Sequence, residues 1–132
     1  MSEIYKNRHS AYNLHVHLVF ITKYRKTVLA DNHRQYFKEV VAELCKDFGA
    51  ELKECNGEGD HVHMLNQDPP TVQLSKMVNN LKSVTSRRMR ANFIDLRAAY
   101  NKPVLWSRSY FAGSCGGAPL EIIKQYIQNQ QS

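Results

Sequence analysis

The sequence has few cysteines and lacks the spacings in which cysteines usually bind zinc. Its three cysteines, Cys45, Cys55 and Cys115, form no CxxC pair, so we expect neither a disulfide framework nor a cysteine zinc site. Long apolar runs are also absent, since the longest, Leu18 to Ile21, is far shorter than the roughly 20 residues that cross a bilayer. The first residues lack the layout of a signal peptide. We therefore expect a cytoplasmic protein with reduced thiols and no membrane partner.

Acidic residues are nearly absent from one part of the chain. Residues 71–108 contain eight basic residues and one acid, Asp95, for a net charge of +7, whereas the rest has ten basic and eleven acidic residues, for −1, giving the total of +6. A segregated positive charge is typical of a surface that binds a polyanion such as nucleic acid. The alternative is an ordinary solvated helix surface.

The spacing of apolar residues predicts four strands and three helices in a single domain of 132 residues. The first helix is predicted from Asp31 to Phe48, with Asp31 as its N-cap and Gly49 as its stop, and the second helix is predicted to begin at a Thr71 cap. The predicted strands are residues 13–22, 50–55, 61–65 and 105–112, and the closing helix is 118–131. The order β-α-β-β-α-β-α is that of the split βαβ, ferredoxin-like α+β fold. This fold is an antiparallel sheet with helices on one side, followed here by an additional C-terminal helix.

The most informative local pattern is His61-Val62-His63 in the third predicted strand. Side chains alternate along a strand, so the two imidazoles share one face. Neutral imidazole nitrogens are common metal ligands, and Asp60 could hydrogen-bond one of the rings. Alone, an HxH pair is more often surface or satisfied core than a metal site.

A second group of polar residues lies in the closing helix. Tyr126 and Gln130 are four residues apart and share a helix face. A tyrosine there is ordinarily a half-buried anchor, but a phenol can also act as a nucleophile. The Gln130 amide oxygen is a hard ligand suited to Mg²⁺ or Mn²⁺ beside two histidines.

A rival histidine pair, His15 and His17, lies in the first predicted strand. If that strand is the neighbour of the third, four histidines crowd a small region. Zinc held by three or four of them is the competing metal hypothesis.

Four segments together resemble the single-tyrosine HUH transposases of the insertion sequence 200/605 family, and the resemblance covers nearly the whole chain. They are KYRK at 23–26, DHVHML at 60–65, LKSVTSRRMR at 81–90 and GGAPLEIIKQYIQNQ at 116–130. The resemblance implies a transposase that nicks and rejoins single-stranded DNA through a 5′-phosphotyrosine intermediate. Tyr126 matches the family's nucleophile, and His61, His63 and Gln130 match its ligands for a divalent ion, Mg²⁺ or Mn²⁺.

The resemblance also implies partners and motions. Family members are homodimers that recognise hairpins at transposon ends, and the histidines of one subunit can work with the tyrosine helix of the other. The glycine stretch 113–117 would be the flexible hinge before that helix. Basic residues on the turn and on the second helix would contact DNA: Lys23, Arg25, Lys26, Lys76, Lys82, Arg87 and Arg90.

The chain departs from the family just after the histidine strand. Asn66, Gln67 and Asp68 stand where the family usually continues with apolar residues. This departure shortens the apolar part of the strand, and we expect either a weakened core or an altered, decaying copy of the transposase. Two other functions fit the residues. One is a domesticated nuclease acting on hairpin repeats in a host genome, and the other is a non-catalytic nucleic-acid-binding module of ferredoxin-like fold.

Overall fold

The predicted order of strands and helices is confirmed over the residues that the computed structural model describes, 5–7, 10–12 and 14–116. Four strands, β3 Leu14–Thr22, β4 Glu51–Glu58, β5 His61–Asp68 and β6 Trp106–Gly116, form one antiparallel sheet in the order β4-β5-β3-β6. Two short strands, β1 Tyr5–Asn7 and β2 Ser10–Tyr12, pair separately. The first and third strands of the predicted ferredoxin-like sheet, β3 and β5, are central neighbours as expected. The helices are α1 Asp31–Asp47, α2 Leu74–Asn92 and α3 Ile94–Ala98. β1, β2 and α3 are additions that the sequence did not predict.

One face of the sheet carries the main hydrophobic core. Val16, Leu18 and Phe20 of β3 alternate with residues of the opposite face, and they lie in the same apolar cluster as Val62 and Met64 of β5. This cluster also contains the buried residues of α1 and α2, including Phe37, Val40, Val41, Met77, Val78 and Leu81. The two long helices therefore cover one face, and the alternation sends His61 and His63 to the other.

A hydrogen bond between aromatic and hydroxyl side chains joins α2 to β6 inside this core. The Trp106 indole N–H donates to Thr85 Oγ1 over 2.9 Å, and Thr85 Oγ1 donates to the Leu81 carbonyl over 2.6 Å. Phe20 and Phe37 pack against the Trp106 ring at centroid distances of 5.6 and 5.5 Å. The indole is thereby buried with its one polar group satisfied.

The predicted end of the histidine strand was wrong. β5 continues to Asp68 because Asn66 pairs with Val16 of β3 and with Leu52 of β4, and Asp68 pairs with Leu14. Ladder hydrogen bonds on both sides override the polar sequence, and Asn66 and Asp68 are buried on the core face.

Two predicted helix caps were also wrong. α2 begins at Leu74 with Gln73 as its N-cap, so Thr71 lies before the helix. α1 has Ala30 as its N-cap, and the backbone N–H of Ala30 donates to Nδ1 of His33 over 2.9 Å. The Gly49 stop is confirmed, since Gly49 has φ of 71°, which favours glycine.

The last described strand is longer than predicted. β6 runs to Gly116 and pairs with β3 up to His15, so residues 113–116 of the predicted hinge lie in a strand. The predicted closing helix 118–131, with Tyr126 and Gln130, lies outside the described residues. None of the helices in the described ranges combines the length and apolar character needed to cross a membrane.

Candidate metal and nucleic-acid site

The two histidines of β5 lie side by side on the sheet face opposite α1 and α2. His61 pairs with Ile21 of β3, and His63 pairs with Val19. Their rings are nearly parallel, with centroids 6.0 Å apart and planes 22° from each other. We call this surface, which also carries His15 and His17 by the strand alternation, the histidine face.

Asp60 orients the first of these rings. Its Oδ1 lies 2.9 Å from His61 Nδ1, while its Oδ2 lies 3.3 Å from the guanidinium of Arg25. The hydrogen bond from His61 lowers the pKa of the Asp60 carboxyl, and the charge of Arg25 lowers it further against the opposing effect of burial. The carboxylate therefore stays ionised and favours a proton on Nδ1 of His61.

The other nitrogen of His61 fits a metal ligand. In the tautomer with the ring proton on Nδ1, Nε2 carries a lone pair. This atom is buried, and it has no hydrogen-bond partner among the residues that the structure describes. A carboxylate on one ring nitrogen and a free lone pair on the other is the usual arrangement of metal-binding histidines.

The surroundings of His63 also favour metal binding. Burial lowers the pKa of His63 to about 4, with smaller contributions from His17 and His61. Its ring meets that of His17 edge to face at a centroid distance of 6.2 Å, and burial also lowers the pKa of His17. His63 is therefore neutral near pH 7, which is the protonation state that binds metals.

The competing zinc hypothesis is not supported by the geometry. His15 and His17 lie on the histidine face as that hypothesis requires, but no three side chains of histidine, cysteine, aspartate or glutamate are grouped around one metal position within the described part of the chain. A metal ion at His61 and His63 therefore needs a donor from elsewhere. Gln130, the predicted third ligand, and Tyr126 lie outside the described residues.

The predicted basic turn lines a cleft together with the segment that leads into β6. Lys23 and Lys26 form part of a cavity of about 420 Å³, which continues to Lys102 and Arg108. We call this cavity the basic cleft. Lys102 and Arg108 belong to the positive segment 71–108. The sequence alone does not assign them to a site, because they come beside the turn only when β6 pairs with β3. Arg25, in contrast, points to Asp60.

The basic residues of α2 differ in their surroundings. Lys76 and Arg87 are exposed. The Lys82 ammonium donates to the carbonyls of Ser107 and Arg108 over 2.6 and 3.1 Å, and Arg90 Nε donates to Ser86 Oγ over 3.2 Å. Burial lowers the pKa of Lys82. Lys82 therefore holds β6 against α2, and its contact with DNA stays a prediction.

A match to a protein-family model identifies the family of this chain. A family model described as "Transposase IS200 like" matches residues 10–130. The chain belongs to the IS200-like transposase family. This transposase is 29% identical over 122 residues to the transposase of insertion sequence element IS200 from Salmonella typhimurium, covering 92% of this chain and 80% of the relative. It is 28% identical over 128 residues to the ISDra2 transposase TnpA of Deinococcus radiodurans, covering 97% and 91% of the two chains.

Solved structures agree with this assignment. A crystal structure of a protein assigned as a transposase from Deinococcus radiodurans R1 superposes with a TM-score of 0.77 and 31% identity, covering 98% of this chain and 99% of the other. A tyrosine transposase bound to a REP hairpin gives a TM-score of 0.58 at 12% identity, with 96% and 68% covered. The second likeness concerns the fold alone. The resemblance inferred from the four sequence segments is thereby confirmed.

Proposed function

We propose that this transposase nicks and rejoins single-stranded DNA in a metal-dependent reaction with Tyr126 as the nucleophile. The observation that carries the proposal is the Asp60–His61 hydrogen bond, which leaves the buried Nε2 of His61 without a partner among the described residues. An unpaired buried nitrogen costs free energy in the folded state, and a bound metal ion would supply the missing partner. Beside it lies His63, a neutral and nearly parallel imidazole.

The histidine pair fits a divalent ion. His61, His63 and Gln130 would hold Mg²⁺ or Mn²⁺, with the amide oxygen of Gln130 as the hard donor that both ions favour. When bound, the ion would polarise the scissile phosphate and stabilise its developing charge. Asp60 would keep the His61 ring in the tautomer that exposes Nε2. Because His63 is neutral near pH 7, it would bind the ion without first losing a proton.

The chemical step is an exchange of one phosphodiester for another. The Tyr126 hydroxyl loses its proton and its oxygen attacks the phosphorus, while the bond from phosphorus to the 3′ oxygen breaks and that oxygen takes up a proton. The products are a 5′-phosphotyrosine link and a free 3′-hydroxyl. Because the phosphodiester energy is conserved in the tyrosine link, attack by another 3′-hydroxyl can seal a new junction without ATP.

The proposed substrate is single-stranded DNA folded into hairpins at the transposon ends. The positive charge of the basic cleft and the exposed Lys76 and Arg87 of α2 support binding to a phosphate backbone. The structural neighbour of the same fold is bound to a REP hairpin. We further propose a homodimer in which the histidines of one subunit work with the Tyr126 helix of the other.

A covalent adduct on a denaturing gel tests this function. The full chain is incubated with Mn²⁺ or Mg²⁺ and a labelled library of hairpin-bearing single strands with randomised flanks. We expect an adduct that chelation of the metal prevents. Tyr126→Phe should abolish it, whereas Tyr110→Phe, a change at an exposed tyrosine of β6, should not.

A histidine variant separates the metal site from DNA binding. His61→Ala should abolish the adduct while hairpin binding changes less than two-fold, since the imidazole acts on the reaction and not on the hairpin. Adduct formation by Tyr126→Phe would refute the nucleophile. Hairpin binding by the wild type with no adduct under any metal would favour the non-catalytic binding module instead.

A further inference from the structure

The turn at residues 23–25 holds an aromatic ring in solvent by means of an unfavourable backbone. Tyr24 and Arg25 have φ of 60° and 53°, in a region that non-glycine residues rarely occupy. The Tyr24 side chain is 74% exposed, so burial of its ring does not compensate for the strain. A strained residue with an exposed ring is typical of a binding position.

Several hydrogen bonds maintain this conformation. The Tyr100 hydroxyl donates to the Lys23 carbonyl over 2.8 Å, and Thr22 Oγ1 donates to the Lys26 carbonyl over 2.7 Å. The Lys23 backbone N–H donates to the Leu105 carbonyl over 2.8 Å. The backbone of the turn is thus fixed against the segment that leads into β6, so the direction in which the Tyr24 side chain leaves the backbone is set before any ligand binds.

The chemistry of the basic cleft around Tyr24 selects a class of ligand. Four cations, Lys23, Lys26, Lys102 and Arg108, line the cleft, and no acid is among its lining residues. The Tyr24 and Tyr100 rings are 6.4 Å apart and tilted by 39°, so they do not stack face to face on each other. An exposed ring among cations suits a base with its phosphate, because every base has a flat face that stacks on an aromatic side chain.

We infer that the basic cleft binds one unpaired nucleotide of the DNA, with the base stacked on Tyr24 and the phosphate held by the surrounding cations. The cavity of about 420 Å³ lies in the usual range for small-ligand sites. Bases inside a duplex are stacked on each other and cannot offer a face to Tyr24, so the ligand is single-stranded. This inference rests on the proposed action on single-stranded DNA and names a position for one of its nucleotides.

An ion pair and hydrogen bonds connect the basic cleft to the histidine pair. Arg25, the residue after Tyr24, pairs with Asp60, and the Thr22 backbone N–H donates to the Asp60 carbonyl over 3.0 Å. Asp60 in turn holds His61. A nucleotide on Tyr24 is therefore bound to the same turn that positions the first candidate metal ligand.

Binding measurements without metal test the inference. The probes are a 12-nucleotide poly(dT) strand and a blunt 12-base-pair duplex, titrated in EDTA by fluorescence anisotropy. Tyr24→Asn removes the ring while retaining a residue that accepts positive φ. It should weaken poly(dT) binding about ten-fold, as expected for one lost base stack, and leave duplex binding unchanged. Tyr24→Phe should bind like the wild type.

Control variants separate the effect of the Tyr24 ring from general effects of a surface substitution. Ile94→Asn changes a side chain that is 72% exposed on α3 and should alter neither affinity. Lys102→Ala should reduce the slope of log Kd against log salt for poly(dT) by about 0.7, the value for one lost contact with a single strand. In a strand containing 5-iododeoxyuridine, light should cross-link the modified base to Tyr24.

Two results would overturn the inference. One is unchanged poly(dT) affinity in Tyr24→Asn, which would assign the cleft to another kind of partner. The other is an equal loss for duplex and single strand, which would mean that the ring does not select unpaired bases. Because EDTA prevents the proposed cleavage, these binding results are independent of whether a Tyr126 adduct forms.

Discussion

Asp60 links the basic turn to the first histidine through its two carboxylate oxygens. One oxygen lies near His61 Nδ1 and the other near Arg25. The contact with His61 could be predicted because the two residues are adjacent in the chain. The contact with Arg25 could not, since it depends on the end of β3 lying beside the turn that precedes β5.

The contact between Asp60 and His61 predicts that a change of Asp60 lowers the affinity for the metal ion. Asp60→Asn keeps the size of the side chain but removes the charge that favours the Nδ1 proton of His61. Mutation of such carboxylates typically lowers metal affinity or activity 10- to 100-fold, and we expect a loss in that range for Mn²⁺. Titration of Mn²⁺ followed by electron paramagnetic resonance measures it.

A distant aspartate provides the control. Asp47→Asn changes an exposed carboxylate at the end of α1 and should leave Mn²⁺ affinity unchanged. Equal Mn²⁺ affinity in Asp60→Asn and the wild type would show that Asp60 does not act on a metal ligand.

At the scale of elements, the sequence predicted the order of strands and helices better than their ends. The apolar periods of β3, α1 and α2 are long, so those elements were found. Asn66 to Asp68 look like a loop, but pairing with β3 and β4 on both sides keeps them in β5. The basic cleft was missed for the same reason, since Lys102 and Arg108 come beside Lys23 only through contacts between distant segments.

The hydrogen bond from Trp106 of β6 to Thr85 of α2 predicts a loss of stability when its acceptor is removed. Thr85→Val keeps the shape of the side chain but leaves the buried Trp106 N–H without an acceptor. The free energy of unfolding should fall by about 1–3 kcal/mol, as measured by urea denaturation.

A double-mutant cycle isolates the hydrogen bond. In a Trp106→Phe background, which lacks the donor, Thr85→Val should cost less than in the wild type. An equal cost in both backgrounds would mean that the Thr85 hydroxyl stabilises the protein only through its bond to the Leu81 carbonyl.

In the whole molecule, the polar end of β5 lies in the core, at the residues where the sequence departs from the family. Asn66 and Asp68 are 0% and 3% exposed, and their side-chain polar atoms have no hydrogen-bond partner among the described residues. Burial raises the pKa of Asp68 to about 6 from 3.8. Ionised Asp68 is therefore a cost to the folded state near neutral pH.

The raised pKa of Asp68 sets the sign of a pH dependence. The folded state retains the proton to about pH 6 while the unfolded chain releases it near pH 3.8, so rising pH favours the unfolded state across this interval. Asp68 should lower the free energy of unfolding by about 2 kcal/mol between pH 4 and pH 7, because each unit of pKa shift corresponds to about 1.36 kcal/mol and part of the shift already acts at pH 4. Asp68→Asn should remove this contribution.

Urea denaturation of both proteins at several pH values isolates that contribution. Protonation of His63, whose pKa is about 4, acts in the opposite direction but is common to both proteins, so it cancels in their difference. Asp47→Asn serves as the exposed control and should follow the wild type. A constant difference between Asp68→Asn and the wild type from pH 4 to pH 7 would contradict the burial of an ionised Asp68.

The proposed reaction requires both the histidine pair of the sheet and a tyrosine that acts on DNA. Mass spectrometry of peptides from the trapped adduct tests it most directly, after incubation of the full chain with Mn²⁺ and hairpin-bearing single strands followed by nuclease digestion. We predict a nucleotide attached through its 5′ phosphate to Tyr126, and its absence in His61→Ala. A nucleotide on any other residue, or attachment to Tyr126 in His61→Ala at the wild-type level, would contradict the proposal.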